Sequence, residues 1–174
     1  MFDRFGEFGS AEEINETAVN LRREGDMESI RILAGENGIE EEIAEIFISG
    51  DLLYLCDAMT AAIGKIDVES RELKPKEIMQ DWTEYVRARC FEDAGMAAAV
   101  RAKGKSLKGC IAALLKWSFA NQIPVDKDIM EEAGVKEKSM TLISIPRNCK
   151  VTLGIPGIGT AKRIITDYYM GRQA

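Results

Sequence analysis

The sequence predicts a mainly α protein with one small β-hairpin, an α+β chain built either as one compact domain or as two small helical lobes. Three observations predict it. Apolar residues recur at three- and four-residue spacing through most of the 174 positions. Ser, Asp and Gly stand where helices start and stop. One late stretch, Met140 to Ile155, changes to residues that favour strands. With 46% hydrophobic content the chain is long enough to bury a core without metal or disulfide support.

The elements follow in order. Ser10 and Glu13 form a capping box that opens a helix running to about Glu24, with Gly25 as its left-handed stop. Asp26 caps a second helix ending at Gly38, and a third covers Glu40 to Ser49 and stops at Gly50. After the apolar stretch Leu52 to Leu55 comes a helix over Ala58 to Leu73, with Gly64 as a weak point. Pro75 then takes a first-turn position, and Ile78, Met79, Trp82, Tyr85, Val86 and Cys90 form one buried face of a helix reaching about Asp93. From Ser106 onward Leu107, Cys110, Ile111, Leu114, Leu115 and Ser118 share a face, while Lys108, Ala112 and Lys116 share another. A helical turn before Ser106 would extend this second face through Arg101 and Lys105 into a basic stripe. Asp126 caps a short helix ending at Gly134. Thr141 to Ile145 and Val151 to Leu153 predict a hairpin around Pro146-Arg147-Asn148. A final helix over Thr160 to Met170 turns Ala161, Ile164, Ile165 and Tyr168 inward.

Charge divides the chain. Residues 1–95 hold 10 basic against 23 acidic side chains, and residues 96–174 hold 13 against 6, within a net charge of -6. This suggests an acidic helical lobe over 1–95 and a basic one over 96–174, or one domain with two unlike faces. The basic face is suited to phosphate contact; alternatively the halves neutralise each other across an internal interface. Between Glu36 and Asp57 stand seven carboxylates and no basic residue. They form either a solvated face or a phosphate-mimicking surface. The Lys105, Lys108 and Lys116 stripe is likewise a nucleic-acid track or a solubilising face.

Several classes are excluded. The sequence has no histidine, and Cys56, Cys90, Cys110 and Cys149 lack paired spacing, so no metal site or cofactor is expected and the cysteines read as buried thiols of a reducing cytoplasm. The start MFDRFGEFGS is unlike a signal peptide, and no apolar run approaches the roughly 18 residues of a membrane span. No Ser, Cys or carboxylate pair sits in a catalytic context, so an enzyme is not expected.

The densest motif is LGIPGIGTAKRIITDYY, Leu153 to Tyr169. A Walker A loop needs Lys directly after its last Gly, and here Thr160 and Ala161 intervene; a dinucleotide fingerprint needs Gly where Lys162 stands. Pro156-Gly157-Ile158-Gly159 followed by Thr160-Ala161-Lys162-Arg163 resembles the hairpin and second helix of the helix-hairpin-helix motif, a family that contacts duplex DNA phosphates without sequence preference. The resemblance implies that the Gly157 and Gly159 amides face a phosphate, in a contact set of Gly157, Ile158, Gly159, Thr160, Lys162 and Arg163. It departs from the family just before Pro156, where Cys149 to Leu153 reads as strand rather than helix. The alternative is a tight strand-to-helix turn.

A broader resemblance spans nearly the whole chain. FDRFGEFGSAEEIN, CDAMTAAIGKIDVE, LKPKEIMQDWTEYV, KGKSLKGCIAALLKWSF and VTLGIPGIGTAK are similar to a family of small proteins from phages and mobile elements of gut Firmicutes, the anti-CRISPR inhibitors of the type II RNA-guided DNA nuclease. The resemblance implies a stoichiometric inhibitor that binds the type II effector with its guide RNA in the host cytoplasm, and duplex DNA as a second ligand. It carries over no residue beyond the glycine turn. Because such effectors hold nucleic acid in a positively charged channel, the acidic residues Glu40, Glu41, Glu42 and Glu45 are the natural partner contacts. The competing expectation is a DNA-binding accessory protein of a mobile element, working through the basic half alone.

Overall fold

Helix boundaries follow the polar punctuation closely in the structure, a computed structural model that describes residues 4–134, 136–137, 144–145 and 151–171. Helix α1 spans Ala11–Glu24, and the Ser10 hydroxyl accepts from the Glu13 amide at 3.3 Å. The Glu13 carboxylate reaches back one residue further than a standard capping box and accepts from the Gly9 amide at 2.7 Å. Asp26 caps α2 (Met27–Glu36), and α3 (Glu41–Ser49) stops at Gly50 with φ 94°.

Four helices follow: α4 (Ala58–Leu73), α5 (Ile78–Glu92), α6 (Ala94–Arg101) and α7 (Leu107–Ala120). Three expectations are corrected. Pro75 lies outside α5, which starts after Glu77 at φ 52°, so the chain turns sharply after the proline instead of entering the helix at it. The expected face of α5 is graded: Trp82, Val86 and Cys90 are buried, Met79 and Tyr85 half-buried, and Ile78 exposed. Arg101 does not extend a basic stripe. It ends α6, a helix capped by the Asp93 carboxylate, and is 1% exposed, with its guanidinium donating to the side-chain oxygen of Asn37 and to the Ala61 carbonyl.

Two apolar clusters form the core, and α4 belongs to both. One gathers Ile14, Ala18, Ile30, Leu33 and Phe47 from α1 to α3 with Leu55 and Ala61. The other joins Ala62 and Ile66 of α4 to Trp82, Val86, Met96, Val100, Leu114, Ile165 and Tyr169. The seam is backbone against backbone. A Cβ on Gly64 would fall within the carbonyl oxygen of Asn37, and one on Gly38, at φ 67°, within the Gly64 backbone. Gly64 is thus the point where the turn between α2 and α3 touches α4, not a flaw in the helix.

Beside the seam, α4 buries polar groups at four-residue spacing. The Lys65 ammonium donates to Glu7 at 2.7 Å and to the Ala102 carbonyl at 3.3 Å, and the Glu69 carboxylate accepts from the Leu107 amide at 2.6 Å, where α7 begins. Burial raises the Glu69 pKa above its ordinary 4.5, against the opposing effects of that hydrogen bond and of Lys65. The folded state therefore binds the proton more tightly than the unfolded chain, and stability falls as pH rises from about 4.5 through the folded pKa. Glu69→Gln keeps an acceptor for Leu107 and removes the titration. Urea midpoints followed across this range should vary less with pH in the variant; an identical profile would sink the assignment.

The C-terminal part holds β1 (Ile123–Pro124), α8 (Lys127–Glu132), β2 (Lys136–Glu137), β3 (Ser144–Ile145), β4 (Thr152–Leu153) and α9 (Ile158–Met170). A small antiparallel sheet is present, but its partners differ from the expected hairpin. Strand β4 pairs with β1, Ile123 opposite Leu153, and β3 runs parallel to β2. The remaining hairpin positions, 140–143 and 146–150, lie outside the described residues. Strand β1 is announced only by Ile123-Pro124-Val125, too short to signal pairing before the tertiary structure brings β4 alongside. Among the described residues no helix is long and apolar enough to cross a membrane.

Candidate nucleic-acid interface

Helices α7 and α9 pack with opposite directions, and this places the basic residues. At one end the Tyr168 hydroxyl accepts from the Ser106 amide at 3.0 Å and lies against Gly109, whose missing Cβ makes room for it. Lys105 is drawn into the same corner. Its ammonium donates to the Tyr168 carbonyl at 2.5 Å and sits 4.9 Å from the Tyr168 ring, so its charge serves the C-terminal end of α9. At the other end Lys116 and Trp117 of α7 face Arg163, Ile164 and Asp167 of α9 across an open groove of about 430 Å³. Lys116 and Arg163, far apart in sequence, thus meet on one surface. Lys108 stands exposed on α7 two turns before Lys116.

The three glycines of the Leu153 to Tyr169 motif separate into two kinds. Gly154 is required by packing, since a Cβ there would overlap the Ser118 carbonyl oxygen at the end of α7. Gly157 and Gly159 have open space where a Cβ would stand, and neither has a positive φ. Conformation and packing would accept other residues there. What glycine supplies at 157 and 159 is unobstructed backbone at the start of a helix whose Gly157 N-cap makes no side-chain hydrogen bond to the first amides. The first helical bond closes from the Ala161 amide to the Gly157 carbonyl at 2.9 Å.

Around this turn Thr160 is half-buried, Ile158 is 77% exposed, and Lys162 and Arg163 are exposed. Lys162 lies 5.1 Å from the Tyr85 ring centroid, and Arg163 reaches Asp167 at 3.9 Å, a surface pair of little energetic weight. Both cations stay available at the helix start. The residues before Pro156 are extended, as the strand-like sequence predicts, so a first helix of helix-hairpin-helix type does not precede the turn among the described residues.

The acidic segment divides likewise. Glu45 is held by Arg31 through contacts of 2.5 and 3.0 Å, which lower its pKa, and Glu36 accepts from the Arg4 and Phe5 amides. Asp57 caps α4 through the Thr60 amide. Glu40, Glu41 and Glu42 remain exposed around the start of α3. Sequence spacing did not reveal these commitments, because the partners of Glu36 and Glu45 come from other elements.

Cys56, Cys90 and Cys110 are free and buried, and burial pushes their thiols up to about 12, 11 and 12 respectively, which keeps them protonated and poorly nucleophilic. Cys149 lies outside the described residues. Among the described residues no cluster of three or more acidic or thiol side chains is arranged to hold a metal ion. No protein-family model, curated protein or solved structure matches the chain.

Proposed function

We propose that this protein acts by binding: it contacts duplex DNA phosphates through the start of α9 and the adjoining Lys116, and serves as an inhibitor of a type II RNA-guided DNA nuclease. The observation that carries the DNA contact is the pair Gly157 and Gly159, glycines that neither packing nor backbone conformation requires, beside two exposed cations. Bare amides and a helix start attract an oxyanion; Arg163 and Lys116 add charge on the α7 side of α9, and Lys162 adds it on the α5 side. The inhibitor role rests on the chain-wide resemblance, with exposed Glu40, Glu41 and Glu42 as contacts for the effector's basic channel. An accessory DNA-binding protein of a mobile element is the second reading, favoured by the glycine turn alone.

DNA affinity should then fall with salt on a slope of about -3 in log-log form if three phosphates are engaged. Lys162→Glu with Arg163→Glu should reduce that slope by about two and weaken all sequences alike. Gly157→Ala should fold normally yet bind more weakly, because a methyl group then holds the phosphate away. Fluorescence anisotropy with two unrelated duplexes reads all three; unchanged affinity in the folded double variant would return the turn to a purely structural role. For the inhibitor role, purified effector, guide and target should yield little cleaved product when this protein is present in slight excess. Full cleavage together with no complex on a sizing column would leave the accessory reading.

A further inference from the structure

On the side of α1 that carries Glu12, Glu16, Val19 and Arg23, an open groove of about 750 Å³ runs between the helix and the loop from Tyr54 to Ala58. Tyr54, 65% exposed, stands on the rim of the groove, and Leu53, 74% exposed, precedes it outside the lining. The loop that presents them is held rigidly. Asn15 donates to the Cys56 carbonyl at 2.8 Å and accepts from the Leu55 and Cys56 amides at 2.8 and 3.1 Å. Arg22 donates to the Phe47 and Leu52 carbonyls at 2.8 and 2.9 Å while stacking 4.1 Å from the Phe47 ring. α1 therefore pins the loop on both sides of Leu53 and Tyr54, and the two side chains are displayed instead of folded inward. An aromatic anchor on a pinned loop binds with little ordering cost.

The groove has a sign. Glu12, Glu16 and Asp57 line it against the single cation Arg23. Phosphate ligands are repelled by such a lining, and a lysine- or arginine-bearing chain is attracted. We propose that this groove docks a basic segment of a partner protein, with Tyr54 as its apolar anchor and the three carboxylates fixing the segment's charged side chains. The site lies apart from α9 and from the α3 carboxylates, and it stands whether or not the partner is a nuclease.

The test uses the full chain labelled with 15N and a synthetic peptide of repeated Lys-Leu-Ala-Lys as the probe. Amides of α1 and residues 51–57 should shift saturably, and a peptide with Glu in place of Lys should leave them unmoved. Tyr54→Ala, an exposed substitution that spares the core, and Glu16→Lys should each weaken binding about tenfold. Glu131→Lys with Glu132→Lys on α8, equally acidic but outside the groove, should keep wild-type affinity. The inference is overturned by the absence of saturation up to about 1 mM peptide, by shifts centred elsewhere, by an equal response to the acidic peptide, or by a concentration-dependent dimer that Tyr54→Ala abolishes.

Discussion

Gly64→Ala is expected to lower stability by about 3 kcal/mol, a large part of the 5 to 15 kcal/mol that ordinarily holds a domain together. Alanine is the better helix former, and on propensity alone the change would add about 1 kcal/mol. Packing reverses that sign. The new methyl group has to occupy the space of the Asn37 carbonyl oxygen, with the Gly38 backbone immediately behind it. Backbone yields far less readily than a side chain tip, so α4 and the turn between α2 and α3 must separate, and both core clusters lose contact along the seam. Gly159→Ala is the control, since the same methyl group meets open space within α9 and should be neutral or mildly stabilising. The urea midpoint of Gly64→Ala should fall while that of Gly159→Ala stays level or rises slightly; a Gly64→Ala midpoint at or above wild type would refute the packing argument.

Arg101→Ala should cost about 3 to 5 kcal/mol: two buried neutral acceptors lose their donor, at about 1 to 3 kcal/mol each, and the packing of the stem is lost as well. The guanidinium satisfies the Asn37 side-chain oxygen and the Ala61 carbonyl in a region where water cannot replace it, and burial already pulls its pKa down. Its stem also fills space between α6 and the start of α4. Arg101→Met separates the two contributions. It retains most of the stem and forfeits the hydrogen bonds, so its loss should be the smaller, about 1 to 3 kcal/mol. Equal destabilisation by Ala and Met would mean that hydrogen bonding dominates and stem packing adds nothing.

Interactions that close within one turn were legible in the sequence. Ser10, Asp26, Ser106 and Asp126 cap the helices assigned to them, because a side-chain oxygen two or three residues from its target needs no other element. Apolar periodicity placed Trp82, Val86, Cys90, Leu107, Cys110 and Leu114 in the core for the same reason. The glycine turn was recognisable as a helix start. Its three glycines could not be told apart, since only the end of α7, brought alongside, shows that Gly154 is steric while Gly157 and Gly159 are not.

What tertiary structure alone decided concerns partners distant in sequence. Arg101 looked like an exposed stripe residue and is buried, because its acceptors come from Asn37 and Ala61 on elements far earlier in the chain. Leu153 was expected to pair with a neighbouring strand and pairs with Ile123, a choice that two-residue strands cannot encode locally. Asn15 and Arg22, ordinary polar residues of α1 by pattern, hold the loop carrying Tyr54 because folding brings about two turns of helix past its backbone. Spacing along one chain dictates which residues share a face; which backbone that face will meet is settled only when the elements pack.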